Sequence, residues 1–549
     1  MKNRFSDLFL SKGVNYFSGD LPLQSILEFF SFKGDSDLSD LGKYISEEFV
    51  EAMDFIDHYG KPVLQTWSVL GERIDYVRIS PEHERILDRL QGFGIIRKMV
   101  KGEESLMYHF VSGYVVSDSG VFCTVTLTAQ TAYGLMKYGS EDLKSRFLSR
   151  FSDQKEPWYG ATFYSETQGG SDLGANRTTA RKSGDIHLLS GTDKYFASNA
   201  GIADSSIVTA RVEGSVEGAK GLSVFFVPAV RKDGTANYSI RRLKYKLGTV
   251  AVPTGEVEFN DSEAYLIGDP GYGIQVAMEI LTISRIDDAI SATGIARKAQ
   301  WEACLYADRR TAFGKRLLDH DLMIKDLVER EADLQASVAV ALLAARHFTD
   351  AAASRPPYDE DYHLARLLSS IAKNMAAETS ADITRYAMEV LGGIGFFEEY
   401  PIAKFHRDSL VTSIWEGTSN IQALEMLEVI VKKNGGELLH RFLQGEAGKI
   451  KDGEVSGLVS EDIEAIFRRM KELAGSGEIE IFSKELLHSL GNITAAIEMY
   501  LMGEKSYAGS GTMAKAARIF HYRHFHPGKL NRKMFIDSRE ILEWMLPPS

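Results

Sequence analysis

Residues 389–420 read EVLGGIGFFEEYPIAKFHRDSLVTSIWEGTSN, and the reading of this stretch decides the rest. It opens at the end of one helical pattern, "YAMEVL", and closes at the start of another, "SNIQALEML". One glycine there is explained as a helix C-cap, but Gly392, Gly393 and Gly395 together imply close approach of the backbone to something. Because "GGIG" ends a helix rather than following a strand, it is not a dinucleotide-binding fingerprint. Glu416 then stands between Trp415 and Gly417, just before an apolar helix. It reads either as an acid favoured by the helix dipole, with Thr418, Ser419 and Asn420 as caps, or as a carboxylate aimed at a ligand.

Around this stretch, residues 271–435 carry four long helical patterns with short links, which predicts an up-and-down bundle. "SRPPYDED" breaks the second from the third. Residues 156–270 change texture to short, alternating, β-branched segments separated by turns, which predicts an antiparallel barrel or sandwich. Residues 1–155 show mainly helical periodicity. Residues 436–549 read as an additional helical domain, with the Gly-rich 435–462 segment as an irregular linker. The fold class is α+β, in the order helical, β, helical bundle, helical extension. A doubly wound sheet or a TIM barrel would alternate strand and helix throughout.

Bulk composition excludes little. The 549 residues are 44% hydrophobic and 25% charged, as in soluble globular proteins, and exceed what one core serves. The net charge of −13 disfavours bulk nucleic-acid binding. Cys123 and Cys304 lie in apolar contexts without metal-ligand spacing, so two reduced, buried thiols and a cytoplasmic location are expected, with no metal. The N-terminal stretch lacks the apolar core of a secretory leader, and no apolar run is long enough to span a membrane.

Two more segments carry candidate chemistry. "YSETQGGSDLGA" (164–175) frees backbone N–H groups toward an anion, with Ser165 and Ser171 as hydroxyl donors, or it is an ordinary interstrand loop. "RRTAFGKRLL" offers Arg310 and Lys315 to phosphate, or places them on a solvated helix end. With "ETQGGSD", "RRTAFG" and "LGGIGFFEEYPIAKFHRD…IWEGTSN" in this order, the chain resembles the acyl-CoA dehydrogenase family over roughly residues 80–435. Phe163 and Tyr164 replace the small and aliphatic pair usual in the first of these motifs; Glu399, Lys404 and Asp408 keep the family spacing in the last. "RIDYVRISPEHERIL", "GLSVFFVP" and the C-terminal extension resemble the AidB-like, alkylation-response branch.

The resemblance implies FAD as cofactor and α,β-dehydrogenation of an acyl-CoA thioester, with a β-hydride passing to flavin N5. Glu416 is then the base, and its N–H helps hold the thioester carbonyl, with Trp415, Gly417 and Arg285 near the substrate. Arg285 reads equally as a helix ion pair with Asp287 or Asp288. Some relatives place the base just before this arginine; here that position is Ser284. The flavin is expected between the β-domain and the bundle. Tyr164, Ser165, Ser198, Thr418 and Asn420 would contact it, and Phe196, otherwise a core strand residue, would stack on it. Arg310, Phe313, Gly392 and Gly393 of a neighbouring subunit would hold its adenine-diphosphate end, which implies a homo-oligomer, usually a dimer of dimers.

The sequence departs from the family at three further places. Asp321 and Glu389 stand where FAD-binding glutamines are usual, and Val250 replaces an arginine after "KLG". An acid suits ribose hydroxyls but repels phosphate. The expected electron acceptor is an electron-transfer flavoprotein. The alternatives are an oxidase and an AidB-like flavoprotein that binds acyl-CoA or DNA with little turnover. DNA binding is the less favoured reading of "AARIFHYRHFHPGKLNRKMF", in which Arg518, Arg523, Lys529, Arg532 and Lys533 are interleaved with aromatics; the other is an amphipathic helix with solvated basic groups.

Overall fold

The computed structural model describes residues 10–505 and 508–546. The leader reading draws partly on residues 1–9, outside the described residues. The chain forms two compact units, each discontinuous in sequence. One comprises Glu51–His109 and Asp118–Asp287; the other comprises the residues up to Val50, Phe110–Ser117 and everything from Asp288 onward.

The first unit adds strands to the mainly helical reading of its N-terminal part. Strands β1 (Val63–Trp67) and β2 (Arg73–Arg78) form an antiparallel hairpin. Asp75 Oδ2 accepts from Ile240 N at 2.9 Å, which joins the hairpin to the main sheet. Helix α1 (Ser119–Tyr138) is capped by Asp118, whose side chain accepts from Val121 N. The main sheet has seven strands: β3 (Gly160–Phe163), β4 (Thr179–Ser183), β5 (Ile186–Ser198), β6 (Ser205–Val212), β7 (Leu222–Pro228), β8 (Ser239–Leu243) and β9 (Thr254–Ile267).

Pairing runs β6–β4–β5–β9–β7 and returns to β6, so the sheet closes into a barrel, with β8 added to β9. The expected antiparallel pattern holds except that β3 and β4 both pair in parallel with β6. Phe163, Leu189, Phe225, Val257 and Phe259 fill its core. Helix α1 covers β3 closely. Thr131 Oγ1 donates to Ala161 O at 3.0 Å, and a Cβ at Gly160 would lie 2.4 Å from that hydroxyl. Only glycine fits there.

Helix α2 (Gly273–Arg309) begins in the first unit and continues in the second. There it joins α3 (Asp321–Asp350), α4 (Glu360–Leu391), α5 (Pro401–Thr412) and α6 (Ser419–Lys432). The predicted four long helices are present, with α5 as a shorter additional helix. The predicted linker is not irregular: α7 (Gly435–Ala447) and α8 (Gly453–Ser476) occupy most of it. Its first glycine is there for packing, since a Cβ on Gly435 would lie 2.8 Å from Val429 Cγ1. Helices α9 (Ser483–Gly503) and α10 (Ser510–Phe525) pack on α3, and two short helices, α11 (Arg532–Asp537) and α12 (Glu540–Met545), follow them. Cys304 is buried, and burial pushes its thiol well up; Cys123 is only half-buried, against expectation. Among the described residues no helix is long and apolar enough to cross a membrane.

A buried ionic cluster fixes the second unit. Arg297 on α2 makes a two-toothed bond to Glu331 on α3, at 2.7 and 2.9 Å, and its Nε lies 3.2 Å from Asp20 Oδ2. Tyr114 donates to the same Asp20 oxygen at 2.6 Å. All four side chains are inaccessible to solvent or nearly so. Replacing the arginine strands two buried carboxylates. Arg297→Met is expected to lose roughly 3–5 kcal/mol of stability, measured by urea unfolding.

Candidate functional site

After α5 the chain turns through Ser413–Gly417 into α6. Glu416 adopts the left-handed region at φ 55°, and Gly417 follows at φ 97°. A non-glycine residue held there costs about 1–3 kcal/mol and persists only where its surroundings over-determine it. They do so here through two carbonyls. Gln422 Nε2 donates to Glu416 O at 3.0 Å and to Gly417 O at 2.9 Å, and Lys373 Nζ donates to Gly417 O at 2.8 Å. A Cβ on Gly417 would lie 2.9 Å from Gln422 Nε2.

The turn is anchored from beneath. Trp415 Nε1 donates to Oδ1 of buried Asp288, and Lys373 Nζ lies 3.7 Å from its Oδ2. Burial, the leading cause, and the charge of Glu416 push the Asp288 carboxyl well up against the pull of Lys373. Thr418 occupies the N-cap position of α6, yet its side chain makes no capping bond, which overturns its reading as a cap. Asn420 is exposed on the first turn.

The other candidates of this unit lie on exposed chain. Phe313 is 97% exposed at φ 52°, in the tight hairpin that follows α2. Arg310 donates to Tyr306 Oη at 2.7 Å. Gly392 and Gly393 are exposed, and a Cβ on either would meet nothing within 4 Å, so close approach within this chain does not explain them. Phe396 and Phe397 are exposed beside them. The two anomalous acids have basic partners: Asp321 accepts from Arg532 Nε at 2.6 Å, and Glu389 from Arg385. Lys404 is bonded to buried Asp408 on α5.

In the first unit, the 164–171 loop is held from within. Tyr164 is buried, and its carbonyl accepts from Asn176 Nδ2 at 2.8 Å and from Lys194 Nζ at 3.2 Å. Ser165 O accepts from Tyr195 N at 3.1 Å. Glu166 accepts from Arg177 N at 2.6 Å and Thr178 Oγ1 at 2.6 Å, and pairs with Lys194 at 3.1 Å, both side chains fully buried. Burial opposes charge on Glu166, but Lys194 and these hydrogen bonds outweigh it and hold the carboxyl below its usual range. Burial lowers Lys194 to about 8, against the pull of Glu166, so both stay ionised at neutral pH. The acid of "ETQGG" therefore builds the loop. Ser171 is exposed. Ser198 Oγ lies 3.3 Å from Thr254 Oγ1 at the end of β5.

Phe196 is 56% exposed, which overturns its reading as a core strand residue. With Tyr195 edge-on and Lys244 Nζ 5.2 Å from its ring, it offers an aromatic face that suits a flat ring ligand. Arg285 and Ser284 are buried on α2. Of the acids considered as partners of Arg285, Asp287 bonds His109 Nε2 at 2.7 Å and Asp288 bonds Trp415.

Sequence reasoning gave no role to Lys373, Gln422, Glu166 and Lys194, and considered Asp288 only as a partner of Arg285. Of these, Glu166 and Gln422 lay inside quoted stretches. The basic C-terminal segment is largely compensated. Arg523 pairs with Asp333 and lies 3.9 Å from Glu329, Arg532 pairs with Asp321, and Lys529 sits over the Tyr522 ring.

Residues 161–262 match the acyl-CoA dehydrogenase middle domain, and residues 271–431 match the acyl-CoA dehydrogenase C-terminal domain. The chain is 34% identical over 305 residues to the mitochondrial short-chain specific acyl-CoA dehydrogenase of Bos taurus, covering 54% of this chain and 68% of that one. It is 28% identical over 419 residues to the putative acyl-CoA dehydrogenase AidB of Escherichia coli, covering 73% and 75%. Caenorhabditis elegans ACDH-11, solved in complex with C11-CoA, shares the fold at TM-score 0.80 and 23% identity over 98% of this chain and 94% of that one. An acyl-CoA dehydrogenase complexed with FAD from Bacillus anthracis shares it at TM-score 0.68 and 20% identity, covering 85% and 87%.

The loop pair gives a direct test of what shapes the 164–171 segment. Lys194→Met leaves Glu166 buried without its cation and is expected to cost roughly 3–5 kcal/mol in urea unfolding.

Proposed function

This chain belongs to the acyl-CoA dehydrogenase family, and on that premise we propose that it is an FAD-dependent enzyme that introduces an α,β double bond into an acyl-CoA thioester. Glu416 is the base. The observation that carries this reading is the left-handed Glu416 turn, pinned at both its carbonyls and resting on Asp288. Strain of that kind is retained where the direction of a side chain matters.

Bound FAD supplies the hydride acceptor. Its fit is supported by the exposed Phe196 face and the fixed carbonyls of Tyr164 and Ser165 in the first unit. Glu416 takes the α-proton. Lys373 and Gln422 act as positioning residues: they fix the backbone that carries the base. Asp321 and Glu389 are compensated by Arg532 and Arg385, which weakens their repulsion of a diphosphate. The exposed Phe313, Phe396 and Phe397 and the open Gly392–Gly393 backbone suit a second copy of the chain, consistent with a homo-oligomer in which Arg310 and Phe313 complete a neighbour's cofactor site. An electron-transfer flavoprotein is the proposed acceptor of the electrons.

The likeness to AidB favours a second reading, a flavoprotein that binds acyl-CoA with little turnover. Anaerobic titration with saturated acyl-CoAs of increasing length separates the two. The dehydrogenase bleaches its flavin band with one length class; the low-turnover binder shifts the band without bleaching it. A protein purified without flavin, or one whose flavin ignores every acyl-CoA, overturns both.

Three substitutions refine the mechanism. Glu416→Gln is expected to retain flavin and ligand binding and to slow bleaching by roughly 10²–10⁴-fold, read by stopped flow. Lys373→Met is expected to lower kcat by about 10–100-fold at unchanged flavin content, because the turn loses one of its anchors. Asp288→Asn keeps an acceptor for Trp415 and mimics the protonated carboxyl that burial favours, so the acid limb of the kcat/KM profile should stay in place.

A further inference from the structure

The helical extension holds a cluster of side chains that the dehydrogenase site does not use. Asp462 projects from α8, His521 lies in the last turns of α10 and His526 caps its C-terminus. Asp462 Oδ2 is 2.8 Å from His521 Nε2 and 2.8 Å from His526 Nε2. All three ligand atoms lie within 4.8 Å of one another. The His521 side chain is fully buried, while Asp462 and His526 keep 14% and 21% exposure, which leaves one side of the cluster open to water.

From this arrangement we infer that Asp462, His521 and His526 form a binding site for a divalent first-row transition ion. Two imidazoles and a carboxylate are the donor set such ions favour. An ion 2.0–2.2 Å from two atoms that are 2.8 Å apart sees them at roughly 80–90°, the spacing of adjacent positions in a six-coordinate shell, with water completing it on the open side.

The surroundings fit this assignment. The other ring nitrogen of His521, Nδ1, lies 3.1 Å from the hydroxyl of buried Tyr500 on α9. Ligating imidazoles are commonly oriented by such a partner on the far nitrogen. When Nε2 takes the ion, the ring proton resides on Nδ1 and is donated to the Tyr500 oxygen. The ion would staple α8 to the end of α10. Family resemblance does not supply this site, since the matched family domains end at residue 431.

The full-length protein, stripped with EDTA and dialysed, would be titrated with ZnCl2 by calorimetry and followed by thermal unfolding. The expected result is one equivalent bound with a rise in Tm. His526→Ala and Asp462→Asn, both at partly exposed positions, should weaken binding at least tenfold and abolish the rise, with flavin content unchanged. Absence of stoichiometric uptake would overturn the assignment and leave a hydrogen-bonded His–Asp–His cluster. So would uptake that survives both substitutions, which places the ion elsewhere.

Discussion

The geometry of the Glu416 turn rests on one buried carboxylate, Asp288. Taking a carboxylate out of water costs several kcal/mol, and the cost is offset only by groups placed to meet it. Here these are the Trp415 indole and the Lys373 ammonium, from the turn itself and from α4. Lys373 also holds the carbonyl of Gly417, so one buried carboxyl on α2 positions the residues on both sides of Glu416. The strained conformation of Glu416 is thus imposed by the bundle. The turn's own sequence requires only the glycine that follows.

What could be read in the sequence follows from what is local. The long helices announced themselves by 3.6-residue periodicity. The hairpin at 63–78 was lost in a helical neighbourhood because two short strands carry too few residues for a period to emerge. The parallel pairing of β3 and β4 with β6 was invisible because strand direction is set by connections, and residue pattern carries no sign of it. The glycines at 435–457 suggested a linker, yet they start helices and allow close packing at Gly435.

The candidate site divides in the same way. Glu416, the loop at 164–171 and the glycines after α4 sit inside contiguous motifs, so spacing alone marks them. Asp288 meets Trp415 across 127 positions, and Lys373 meets Gly417 across 44. No local pattern predicts such pairs. The acids at 321 and 389 looked like liabilities for phosphate binding because their arginines were not visible beside them; one of those arginines lies 211 positions away in the helical extension. These pairs are solvent-exposed, so they adjust local charge more than they stabilise the fold.

The Arg297 cluster has a consequence for how the chain is made. Asp20 emerges from the ribosome early, whereas Arg297 and Glu331 follow only after the whole β-barrel has been synthesised. The first segment of its unit must therefore wait, with an apolar face containing Leu23, Ile26 and Leu27 still uncovered, while the intervening unit is completed. Nascent chains halted before α3 would present that face to chaperones, and a fragment cut at either boundary of the barrel could not rebuild the cluster by itself.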